Sequence, residues 1–146
     1  MTWGVAAPAA ITGLVTVFRA GLTVPVRDGA TVSDSAALKA VSVAYQTEDQ
    51  DAVTGVVDPA VHAADLDHST VNCAVHVAQG RDLPGARAQA FTLFGQAGQI
   101  IKNDTTLGNA VMRAWVSSYA LTSEQSRGGP VVVILFGVDY EAYTTE

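Results

Sequence analysis

Charge is scarce in this chain, and positive charge is the scarcest. Only 15% of the 146 residues are Asp, Glu, Lys or Arg, against about 25% in ordinary soluble domains. Eight Lys and Arg face 14 Asp and Glu, for a formal net charge of −6. That balance argues against a protein that holds nucleic acid by its phosphates, which needs clustered Lys and Arg. Cysteine is almost absent: a single Cys73 excludes an internal disulfide framework and suits a reducing compartment. Long hydrophobic runs are absent too, since none reaches the ~18 residues that span a bilayer. The uncharged stretch Trp3–Phe18 lacks a basic leader and is stopped by Arg19. Export is therefore not expected, and cytoplasmic synthesis is.

What is present is apolar: 49% of the residues. A chain near this length buries roughly 68–70% of its unfolded surface, so one domain over residues 1–146 can form a core without metals or disulfides. A charge-poor surface is common in subunits that neighbours cover. The excess of Arg over Lys and of Asp over Glu also fits a GC-rich genome. The charges are uneven. Between Ala40 and Gly80 there is no Lys or Arg, but there are Glu48, Asp49, Asp51, Asp58, Asp65 and Asp67. Such a cluster is a solvated face, a surface that repels anions, or one that meets a basic partner.

Periodicity sets the expected elements. Pro8 opens a helix over Ala7–Gly21, with Ile11, Leu14, Val15, Phe18 and Leu22 on one stripe. Thr23–Arg27 reads as an edge strand because of Pro25, and Thr31–Ala37 as a loop. Leu38–Tyr45 reads as a strand, and Glu48–Asp51 as an acidic loop. Val53–Ala63 reads as a strand broken at Pro59, and Asp65–Ser69 as a turn. Thr70–Ala78 alternates, with Val71, Cys73, Val75 and Val77 on one face. Asp82 is an expected N-cap for a helix reaching Lys102, with Ala90, Phe91, Phe94, Ala97, Ile100 and Ile101 toward the core. Val111–Leu121 reads as a strand, Thr122–Gly129 as a polar loop, and Val131–Tyr143 as a long strand covered on both faces. The expected fold is α/β in the α+β sense. It has a mostly antiparallel or mixed sheet of about five to six strands, with two main helices packed on it.

Catalytic and ligand-binding signals are weak. His62, His68 and His76 with Asp65, Asp67 and Cys73 could suggest a metal. Yet Cys73 and His76 fall on opposite strand faces, and His62 belongs to another run. Cys73 on an apolar stripe reads as a core residue rather than a nucleophile. There is no Walker loop and no dinucleotide fingerprint. Ser126-Arg127-Gly128-Gly129-Pro130 precedes a strand, so it lacks a helix N-terminus for an anion. Asp49 and Asp51 form no acid pair in a defined cleft. No catalytic residue, cofactor or metal is expected from the residues.

The order of segments resembles the tail terminator proteins of long-tailed, siphovirus-type bacteriophages, especially those of actinobacterial hosts. The likeness runs through the first helix, Val24-Pro25-Val26-Arg27-Asp28-Gly29 and Ala40-Val41-Ser42-Val43-Ala44-Tyr45. It continues through the acidic loop, Thr70-Val71-Asn72-Cys73-Ala74-Val75 and a helix on Gly85-Ala86-Arg87-Ala88-Gln89-Ala90. It ends in Asp104-Thr105-Thr106-Leu107-Gly108-Asn109-Ala110-Val111, a strand, a polar loop and Val138-Asp139-Tyr140-Glu141-Ala142. The resemblance implies a structural virion protein, not an enzyme. It would form a six-membered ring on the head-proximal end of the tail tube and end tube growth. Its partners would be other copies of itself, the major tail tube protein and a head-completion or stopper protein. DNA would pass through the ring without sequence-specific binding, at the head–tail junction and away from any membrane. Glu48, Asp49 and Asp51 are then candidates for a lumen- or partner-facing loop, and Glu124, Gln125 and Arg127 for a docking loop. The rival readings are another head–tail connector or minor tail component, a small ligand-binding or enzymatic α/β domain, and a toxin- or immunity-like binding module.

Overall fold

Two helices lie on one face of a single six-stranded sheet, and the side-chain pattern explains why. In a computed structural model, residues 3–29, 39–61, 63–78, 82–126 and 129–145 are described. The elements are α1 (Ala7–Gly21), β1 (Val26–Asp28), β2 (Lys39–Val43), β3 (Val53–Asp58), β4 (Leu66–Ala78), α2 (Leu83–Asn103), β5 (Arg113–Ser126) and β6 (Gly129–Tyr143). This is the expected α+β fold. The strand order is β1-β2-β4-β6-β5, with β3 also on β4. β2 and β3 share one edge of β4: β2 pairs with Cys73–Val77 and β3 with Leu66–Val71. All pairs are antiparallel except β1 with β2.

The register aligns the apolar residues of neighbouring strands. Val43, Cys73 and Phe136 share a row, as do Val41, Val75 and Ile134. All six are essentially inaccessible, as are Leu14 and Phe18 of α1 and Ala86, Ala90 and Ala97 of α2. A fully buried side chain of this size contributes about 1.5–3 kcal/mol, so this layer is the main source of stability. α1 starts with Pro8, and Asp82 caps α2 by accepting a hydrogen bond from the Gly85 N–H at 3.1 Å. β3 ends at Asp58, immediately before Pro59, because proline has no N–H to give the ladder.

Four expectations need correction. Asp65–Ser69 is not a turn, because β4 begins at Leu66. Its polar residues are paired inside the protein, as described below. Thr122–Gly129 is not a loop either. β5 continues to Ser126 and pairs through Glu124↔Val131, Gln125↔Pro130 and Ser126↔Gly129. The stripe of α2 is rotated from the expected one: Leu93 is buried and Phe91 is 40% exposed. Phe91 instead meets the ring of Tyr119 on β5, with centroids 6.2 Å apart. Finally, Val131–Phe136 is covered unequally. Val132, Ile134 and Phe136 are buried under the helices, whereas on the other face Val133 is buried but Val131 and Leu135 are only half-buried.

Asp104 and Thr106 hold the connection from α2 to β5, and the Thr106 hydroxyl accepts from the Asn109 N–H at 3.2 Å. Asp104 accepts from the Gly108 N–H and the Thr106 hydroxyl, each at 3.0 Å. Leu107, Gly108 and Asn109 are all left-handed, with φ of 52°, 69° and 67°. Leu107 is nonetheless buried, so its apolar burial offsets a conformation that side chains disfavour. Gly13 of α1 packs on this turn: a Cβ there would stand 2.7 Å from the Leu107 carbonyl oxygen.

Candidate interaction surfaces

The acidic middle third divides into two groups. Asp67 is 1% exposed. Its carboxyl group accepts from the Tyr140 hydroxyl at 2.9 Å, from the Ala6 N–H at 3.1 Å and from the Ser69 hydroxyl. It thus ties β4 to β6 and satisfies a free N–H at the start of α1, whose N-cap Ala6 has no side-chain acceptor. Gly55 makes this possible, since a Cβ there would collide with the Ser69 hydroxyl. Burial, with the Asp67 carboxyl adding to it, pushes the Tyr140 phenol up to about 12. Asp65 accepts from the Trp3 indole at 3.0 Å and the Ala60 N–H at 2.8 Å. Both residues therefore hold the fold together.

The remaining four, Glu48, Asp49, Asp51 and Asp58, are exposed along one margin of the sheet. The loop between β2 and β3 bulges outward at Asn72 of β4. The Asn72 backbone accepts from the Tyr45 N–H at 2.7 Å and donates to the Ala52 carbonyl at 2.9 Å. The Asn72 side chain donates to the Asp51 carbonyl at 2.8 Å. Gln50 turns inward, donating to the Tyr45 carbonyl at 3.1 Å. The expected acidic loop is thus brought together as one exposed feature, beside an edge of β3 that no described strand pairs with.

The second candidate group separates differently. Glu124 and Gln125 stand on β5, in ladder with Val131 and Pro130, and Arg127 lies outside the described residues. Two features of β5 escaped the sequence reading. First, residues Ser117–Ser123 are all exposed, on both faces of the strand. Second, the start of β5 joins a polar cluster on the sheet face away from the helices. There the Arg113 guanidinium lies 4.4 Å from the Trp115 ring centroid. Trp115 approaches His68, which lies 3.5 Å from Asp139. Asp139 also accepts from Thr70 at 2.6 Å and Ser117 at 2.7 Å. The serine and the histidine both address the carboxylate rather than each other, so no nucleophile–base relay is set up. The available signal for β5 was its composition: a Ser-Ser-Tyr-Ala-Leu-Thr-Ser run without charge.

The metal-ligand candidates do not converge. Cys73 is fully buried under the helices, and burial pushes its thiol up to about 12. His76 is on the opposite face, edge-on to Tyr45 at 5.0 Å between centroids. Burial first, and the Arg27 charge second, hold its pKa below the usual 6.5. His62 lies outside the described residues. Among the described residues no three His, Cys, Asp or Glu side chains group to hold a metal, and no helix is long and apolar enough to cross a membrane. A groove of about 630 Å³ runs between α2 and β5 over Ile101, Ala114 and Val116, with Gly95, Gly98 and Lys102 on its wall. No known family model matches the chain, and no curated protein matches its sequence.

Proposed function

We propose that this chain is a ring-forming tail terminator of a long-tailed bacteriophage. In this reading its ring caps the head-proximal end of the tail tube, stops tube polymerisation and presents its other face to the head-completion proteins. It is a structural role without catalysis, exercised at the head–tail junction of the virion. The observation that carries it is the exposed acidic margin of Glu48, Asp49, Asp51 and Asp58 on a subunit otherwise poor in charge. A passage for DNA needs a wall that does not bind phosphate, and the Glu48–Asp58 segment, which holds no Lys or Arg, provides one. The segment order that resembles the terminators, and the expected sheet with helices on one face, support the same reading.

Light scattering and negative-stain imaging of the purified protein, alone and with tail tube protein, test it. The expected result is closed rings of six, free or seated on tube ends. A monomer that ignores tubes would overturn the reading and favour a ligand-binding domain.

A further inference from the structure

We infer that copies of this chain join head to tail through two sheet edges that no described strand covers, the outer edge of β5 in one copy pairing antiparallel with the outer edge of β3 in the next. Natural edge strands are blunted by Lys, Pro, shortness or bulges, because an open edge is a template for another strand. β5 has one such protection, the irregularity between Val116 and Ser118. Beyond it the strand runs in regular register from Ser118 to Ser126. Its exposed segment Ser117–Ser123 contains no charge and no proline. Long, uncharged and exposed on both faces, it has the properties of a strand that a partner covers.

The other side of the sheet offers a matching edge. β3 pairs only with β4 among the described residues. Its segment Val53–Val57 is also uncharged, and Val56 is 65% exposed. The strand directions fit. β3, β4, β6 and β5 are antiparallel in turn, so β3 and β5 run in opposite senses. A copy generated by rotation about an axis along the strands therefore brings its β3 antiparallel to β5. Across the sheet β3 stands level with the start of β5, through Val56, His68, Glu141 and Arg113. A step along the strands, of the kind that closing a tilted sheet requires, carries it onto Ser118–Ser123.

Charge selects a second copy as the occupant. β3 ends at exposed Asp58, while the loop of Glu48, Asp49 and Asp51 lies beyond its other end, outside the paired strands. Beside β5, α2 carries exposed Arg87 and Lys102 on the stripe that also bears Phe91, Gly95 and Gly98, while Arg113 of β5 pairs with Glu141 at 3.5 Å. The acidic end of β3 is therefore attracted to the side that carries the α2 cations, and two such ends repel. Exposed Tyr119, Leu121 and Phe91 add apolar area on the α2 side. Two different complementary surfaces make a heterologous contact, which closes into a ring or runs on as a filament. The inference deepens the terminator reading by naming the subunit contact, and it rests on that reading only for ring closure.

The test uses Ala120→Lys, which spoils the β5 edge, and Val56→Lys, which spoils the β3 edge. Both positions are exposed, and thermal melts confirm that each variant folds; Thr122→Lys and Thr54→Lys are second choices for the same edges. In sedimentation velocity the wild-type protein should assemble beyond the dimer, and each variant alone should lose assembly. An equimolar mixture should give dimers and nothing larger, because each variant keeps one intact edge. Assembly of folded Val56→Lys as in wild type, a mixture that stays monomeric, or a wild-type monomer up to its solubility limit would overturn the inference. If both variants form wild-type rings that cap tubes, the edge pairing fails while the terminator reading stands. If the variants behave as expected but wild-type rings do not cap tubes, the terminator reading fails while the edge pairing stands.

Discussion

Replacing Asp67 by Ala should be the most damaging change at any acidic position of the middle third, although the sequence gives it no distinction from its neighbours. Three donors converge on its carboxyl group: Tyr140, Ser69 and the Ala6 N–H. The Tyr140 hydroxyl belongs to a side chain with no accessible surface, and orphaning a buried polar group costs about 1–3 kcal/mol. Losing the acceptor at the start of α1 costs about 1 kcal/mol, and the Ser69 hydroxyl adds about 1 kcal/mol more. The sum is about 3–5 kcal/mol, a large part of the ~5–15 kcal/mol that holds a domain together. For a chain of this size that is roughly a 10–15 °C fall in Tm. Asp67→Asn keeps the volume and one acceptor oxygen, so it should lose about half as much. Asp49→Ala, on the exposed loop, should stay within about 0.5 kcal/mol of wild type. Urea denaturation followed by far-UV circular dichroism separates the three. A loss below ~1 kcal/mol for Asp67→Ala would refute the account of this buried cluster, since even one orphaned hydroxyl costs that much.

Three further outcomes follow from the packing and the charges. His76 is held neutral by burial and by Arg27, so the unfolded chain takes up a proton as pH falls through about 6.5 before the folded chain does. The stability this position allows is present above that pH and declines below it. His76→Gln should flatten that part of the stability–pH curve, and an unchanged slope would contradict the assignment. Gly13→Ala should destabilise by about 1–2 kcal/mol, because overpacking against the Leu107 carbonyl outweighs the gain in helix propensity. In contrast, Gly98→Ala meets open space and should stabilise by about 0.5–1 kcal/mol; calorimetry that reverses the two signs would count against the packing described. Changing Glu48, Asp49 and Asp51 together to Lys should leave the melting curve nearly unchanged but impair DNA ejection or ring docking, and a normal plaque yield would argue against a role for this loop.

The parts of the fold legible in the sequence are those with local causes. α1 occupies Ala7–Gly21 as expected, since Pro8 and the apolar stripe both act within a few residues. Asp82 was legible as a cap for the same reason. The start of β4 was not, because Asp67 and Ser69 satisfy their polar groups against Tyr140 and Ala6, more than sixty residues away in the case of Asp67. Nothing local distinguishes such residues from a solvated turn. The end of β5 was hidden by its position at the sheet edge. A strand without a covered face has no alternation to read, and exposed Thr122 and Ser123 show none. Of the candidate surfaces, the acidic loop was legible as composition, but the loss of Asp65 and Asp67 to structural roles was visible only in three dimensions. Phe91 falls within the apolar stripe that the sequence points toward the core, whereas the pitch of α2 turns it to the β5 margin beside Tyr119.

The terminator function is tested most directly by the length of tail tubes grown with and without this protein. Tail tube protein is polymerised in vitro, the purified chain is added during growth, and tube lengths and ends are scored by negative stain. The account predicts that growth halts soon after addition, with a ring of this protein on one end of each arrested tube. Tubes that keep lengthening at the same rate, with bare ends, would contradict it.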